Sequence, residues 1–127
     1  MEKSQKKWRV ERRKQKRYRT KKDAFAVVWP DLTRVGKIVD ISMDGLAFSY
    51  MAINIEQKEA SQVDILMPDQ SVFLQDMPCR CVYDIDTGED RPEKEIPMRK
   101  IGLQFVDIKR SHKSNLKSFI NYYTTEG

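Results

Sequence analysis

Histidine and cysteine are scarce in this chain. Its 127 residues include one histidine, His112, and two cysteines, Cys79 and Cys81. A lone Cys-x-Cys with one histidine falls short of the four ligands that a structural zinc takes. His112 stands at the start of a helical stretch and reads as a surface or capping residue rather than a catalyst. On a strand Cys79 and Cys81 face the same way, and a disulfide between them would be strained. They read as reduced core thiols, in keeping with a reducing compartment. Long apolar runs are missing as well. No stretch approaches the ~20 residues needed to cross a bilayer, and the basic N-terminus has no apolar h-region of a secretory signal. Cytoplasmic residence is the expectation. No glycine-rich phosphate loop is present, which excludes a P-loop or dinucleotide-fold enzyme. Asp40 and Asp44 have no fitting partner for acid/base work, so the chain reads as a binding protein and not an enzyme.

Acidic residues are scarce at one end only. Residues 1–22 hold twelve Lys/Arg against two Glu, a net of +10, while residues 23–127 hold twelve against seventeen, a net of −5. A basic arm on a mildly acidic body points to an anionic partner for the arm: a nucleotide, a nucleic acid or a membrane surface. The arm, residues 1–20, has few apolar side chains and cannot bury a face of its own. Within it, Arg13 and Arg17 are four apart and can converge on one object. Arginine suits bidentate grips on phosphate and on the O6/N7 edge of guanine, and its plane also stacks on bases.

The body, residues 21–127, alternates in the manner of strands. Candidates are residues 24–29, 33–42, 46–51, 62–67, a short one at 71–75, 79–84 and 99–106, with stops at Pro30-Asp31, Pro68-Asp69 and Met77-Pro78. Residues 52–61 read as loop and 86–95 as a polar loop or hairpin tip. Ile101, Leu103 and Phe105 share one strand face. Trp29 reads as core. The period then changes: Leu116, Phe119, Ile120 and Tyr123 mark an amphipathic helix with Ser111 as its N-cap. Six or so strands and one terminal helix indicate an all-β antiparallel barrel or sandwich capped by that helix.

The stretch Ile38-Val39-Asp40-Ile41-Ser42-Met43-Asp44-Gly45-Leu46 reads as strand, tight turn, strand. Asp40 and Ser42, two apart, are expected on one strand face, and Gly45 is expected to take a positive φ. The result is a carboxylate and a hydroxyl side by side over a glycine turn.

Arg13-Lys14-Gln15-Lys16-Arg17 resembles the RxxxR motif of the PilZ domain, and Asp40-Ile41-Ser42-Met43-Asp44-Gly45 its [D/N]xSxxG motif. The run Lys100–Asp107 also looks like PilZ, and the resemblance covers residues 11–123. It implies a six-stranded antiparallel β-barrel followed by a C-terminal α-helix, and binding of cyclic di-GMP, a bacterial second messenger. By that resemblance Arg13 and Arg17 grip phosphate and a guanine Hoogsteen edge. Asp40 accepts from guanine N1–H and N2–H₂, Ser42 adds a hydroxyl contact, and Gly45 lets the backbone come close. Arg12 before the motif leans toward a stacked pair of ligands. No cofactor beyond this ligand is implied. The arm would order on binding and signal to a protein partner. The other reading is a small barrel that binds RNA or single-stranded DNA through the arm, or a docking scaffold that binds no nucleotide. The Asp40 carboxylate speaks against a phosphate chain at that point.

Overall fold

A computed structural model describes residues 16–20, 23–30, 34–52, 59–69, 71–87 and 98–126. Arg12 and Arg13 lie outside the described residues. The strands are β1 (Tyr18–Thr20), β2 (Phe25–Trp29), β3 (Val35–Ile41), β4 (Gly45–Met51), β5 (Gln62–Leu66), β6 (Val72–Asp86) and β7 (Met98–Phe105). Helix α1 (Arg110–Tyr123) and a short β8 (Thr124–Glu126) follow. Hydrogen bonding runs in the order β2-β5-β6-β7-β4-β3, and a β2–β3 pairing closes this ring into a six-stranded antiparallel barrel. The barrel continues past β3 into a flap, β3-β1-β8.

Period-two alternation fills the interior. Ala26 and Val28 of β2, Phe48 and Tyr50 of β4, Val63 and Ile65 of β5, and Ile101 and Leu103 of β7 are buried together. Helix α1 covers one side with Leu116, Phe119 and Ile120. Phe73 of β6 meets Phe119 and Tyr123 edge-on, with ring centroids 5.3 and 5.6 Å apart. Edge-to-face contact suits the positive rim and negative face of aromatic rings. No helix among the described residues is long and apolar enough to cross a membrane.

Several local expectations are corrected. The two strands expected around Met77-Pro78 are one 15-residue strand, β6. Pro78 lacks an N–H and reads as a stop. Register shifts along the β5–β6 pair and a left-handed Asp76, φ 58°, bend the chain around it instead. Trp29 is not core. Ala26 and Val28 take the inward positions of β2, so Trp29 points out, 37% exposed, and its indole N–H donates to Asp64 at 3.0 Å. The helix starts before Ser111, with Lys109 at the cap position and no side-chain cap. Tyr18–Thr20, placed in the arm above, form a strand.

Candidate functional site

The site is a corner where the β3–β4 turn, β1 and the outer faces of β7 and β6 meet. β3 ends at Ile41, so Ser42 is already in the turn: its N–H donates to the Gly45 carbonyl at 2.8 Å. The Ser42 side chain is buried, and its oxygen accepts the N–H of Asp44 at 3.1 Å and of Gly45 at 3.3 Å. The expected pairing of Asp40 and Ser42 on one face is therefore not found. The strand stops one residue too early, and serine in such turns binds its own backbone. The Gly45 expectation changes in kind. Its φ lies outside the left-handed range that favours glycine. Instead a Cβ there would run into the carbonyl oxygen of Leu103, so the glycine serves close approach between β4 and β7. The Phe105 N–H donates to the Asp44 carbonyl at 2.7 Å and ties the turn to β7.

Asp40 projects from the outside of β3, opposite Ala47. Arg17, the residue before β1, places Nη1 at 2.6 Å from Asp40 Oδ1. The Arg17 side chain is 39% exposed and that of Asp40 22%. Cation and anion thus form a clip that joins the end of the basic segment to the barrel.

Two neighbours escaped the sequence reading. Ladder pairs run from Asp40 to Ala47, from Ala47 to Gly102 and from Gly102 to Tyr83, so the four stand in one row across β3, β4, β7 and β6. A Cβ on Gly102 would fall inside the Tyr83 ring, so the ring lies directly on that bare backbone. Burial raises the Tyr83 pKa, the nearby Asp40 charge raises it further, and Arg17 opposes both. In the next row Arg80 Nε donates to Gln104 Oε1 at 2.8 Å, and Gln104 faces Gly45. A β-bulge between Cys81 and Tyr83 arranges this. The bulge adds one residue, so Cys81 and Asp84 both face the interior while Tyr83 turns out. No signal in the sequence marks it: Tyr83 keeps the parity of Cys79 and Cys81, so period-two alternation alone would turn it inward.

Cys79 and Cys81 are free thiols. Burial, with Cys81 alongside, pushes the Cys79 thiol up to about 12, so it is not a nucleophile at neutral pH. No group of three or more metal-ligating side chains occurs among the described residues. His112 holds Gln75 through Nε2 at 3.0 Å from its carbonyl, a contact between α1 and β6.

The corner offers a cation, a carboxylate, a rigid turn and a flat aromatic ring over a floor of small residues. Such a set can hold a planar group that donates hydrogen bonds and carries negative charge nearby. Fold and corner together define a small closed β-barrel with a partly exposed polar corner on its outer face. The PilZ domain family model matches residues 11–122, and the chain belongs to that family. Among solved structures, the PilZ domain of YcgR from Escherichia coli with c-di-GMP is 15% identical, with a TM-score of 0.64 over 87% of this chain and 89% of that one. A second structure of Escherichia coli YcgR in complex with c-di-GMP is 15% identical, with a TM-score of 0.59 over 87% of this chain and 45% of its own. MrkH, described as a c-di-GMP-dependent transcription regulatory factor, is 14% identical, with a TM-score of 0.61 over 86% and 49%. The chain thus spans about half the length of those two longer proteins. No curated protein matches it.

Proposed function

We propose that this PilZ domain is a receptor for cyclic di-GMP in the bacterial cytoplasm, and that the ligand binds at the Arg17–Asp40 corner. The observation that carries the proposal is the 2.6 Å ion pair between these two residues beside the Ser42–Gly45 turn. It brings together one member of each of the two motifs, 23 residues apart in sequence. Both partners are partly solvated, and such pairs contribute about 0–1 kcal/mol. Either can therefore exchange its partner for a guanine or a phosphate at small cost.

In this proposal Asp40 accepts from guanine N1–H and N2–H₂, and Arg17, with Arg13 and Arg12, takes the phosphates and a Hoogsteen edge. Ser42 acts through the turn it locks, and Gly45 permits that turn to sit on β7. Tyr83 supplies a ring on which a base stacks. Stacking matters to the balance. A hydrogen bond to a charged group contributes about 1.5–3 kcal/mol, whereas ordering one backbone residue costs about 1–2 kcal/mol. Polar contacts made by an arm that must order leave little surplus, and base–aromatic stacking adds ~1–3 kcal/mol per base. Ordering of the arm over the corner then presents a new surface to a protein partner.

Calorimetric titration of the folded protein with cyclic di-GMP tests the proposal. Saturable heat is expected, lost or strongly reduced in Asp40→Ala. A folded wild type that gives no heat would refute it.

A further inference from the structure

The basic segment meets the barrel through β1, and β1 is too short to hold itself. It makes one ladder pair with β3, Tyr18 with Ile41, but three with β8: Tyr18 with Glu126, Arg19 with Thr125 and Thr20 with Thr124. A three-residue strand has no stability of its own, so its place depends on the strand beside it. β8 in turn is fixed by α1. Thr124 is buried, and its hydroxyl donates to the Ile120 carbonyl one turn back. Leu116, Phe119 and Ile120 root that helix in the core. Beside the direct seat of Tyr18 on the core and on β3, a second line of anchorage runs from the core through α1 and β8 to Arg19 and Thr20 of β1, whose ladder partners are both on β8.

We infer that β8 is a clamp that positions Arg17 for the ligand: Thr124–Glu126 hold β1 in register, so the guanidinium starts from a fixed root. This rests on the binding site proposed above. Preorganisation of this kind raises affinity because the ligand does not have to order the segment itself. Linkage makes the effect reciprocal: a ligand that draws on Arg17 tightens β8 against β1.

The test compares the full chain with a chain ending at Tyr123 in titrations with cyclic di-GMP, together with amide hydrogen exchange. Releasing a single backbone residue corresponds to a loss of about tenfold in affinity, the weakening expected on truncation. Without ligand, amides of residues 18–20 should exchange faster in the shortened chain. With ligand, amides of 124–126 in the full chain should become more protected. Should the truncated protein fail to fold, the full-length double variant Thr125→Gly, Glu126→Gly replaces it, with a several-fold loss expected from the weaker strand tendency of glycine. If the full chain binds and the folded variants bind equally well, with unchanged exchange at 18–20, the clamp is wrong. If the full chain does not bind at all, the ligand site fails, and exchange at 18–20 in the truncated chain still decides whether β8 holds β1.

Discussion

Arg17 and Asp40 touch at 2.6 Å, yet 39% of one side chain and 22% of the other face water. A pair this open has limited value to the fold, and in the proposed site both partners are accessible to a ligand. Arg17→Ala should lower the free energy of cyclic di-GMP binding by about 1–3 kcal/mol, the range for one bidentate contact. Its effect on stability should stay within about 1 kcal/mol. Titration and thermal unfolding of the same sample separate the two, and a large fall in Tm with unchanged affinity would make the pair a structural one. Cys79 shows the opposite balance. Burial lifts its thiol from an ordinary 9.0 to about 12. A raised pKa means that the folded form keeps its proton after the unfolded chain has lost it. Its contribution is intact below pH 9 and is lost progressively as the pH rises toward 12, at up to about 1.4 kcal/mol per pH unit. Urea unfolding at pH 8 and pH 10 should show a smaller alkaline loss in Cys79→Ala than in wild type, and equal losses would exclude the thiol as the cause.

Among the elements, β6 does the most to shape the molecule. Its bulge turns Tyr83 toward the Arg17–Asp40 corner and Asp84 toward the barrel interior. There Asp84 accepts from Tyr50 Oη at 2.6 Å and from Arg99 Nε at 2.8 Å, while Arg34, 4% exposed, lies 3.6 Å away. One carboxylate thus ties β4, β6, β7 and the entry to β3. Taking one partner from a buried ion pair is strongly destabilising, because the remaining charge cannot return to water. Asp84→Ala should cost about 3–5 kcal/mol in chemical denaturation. It should also shift the strand that carries Tyr83, so ligand affinity should fall along with stability. A loss below 1 kcal/mol would show that the cluster holds without Asp84.

On the scale of the whole molecule, the separation of charge decides which anion suits the protein. Residues 1–22 carry a net +10 and the remainder a net −5. A nucleic acid bound along the basic segment would lose about 10³–10⁵ in affinity between 50 and 200 mM salt, because many counterions return to the polyanion. A dinucleotide with two phosphates, held largely by base contacts, should lose only a few-fold over that range. Titrations of cyclic di-GMP and of a single-stranded oligonucleotide at the two salt concentrations distinguish these cases. Tighter oligonucleotide binding that grows with strand length would favour the nucleic-acid reading.

Local chemistry made much of this protein legible in its sequence. Ile101, Leu103 and Phe105 alternate into the core, and Leu116, Phe119 and Ile120 bury one face of α1, because both periods report a single buried side. Arg17 and Asp40 could be singled out because each stands in a short motif, RxxxR and [D/N]xSxxG, that resembles the PilZ pattern. What the sequence could not decide were matters settled between strands. Gly45 is needed because β7 passes close by, and Gly102 because Tyr83 lies on it. Ser42 spends its hydroxyl on a turn one residue beyond the strand, and a bulge at Val82 reverses which of its neighbours face outward. Register and close approach depend on what stands opposite in the folded chain. Only the closed barrel could set them.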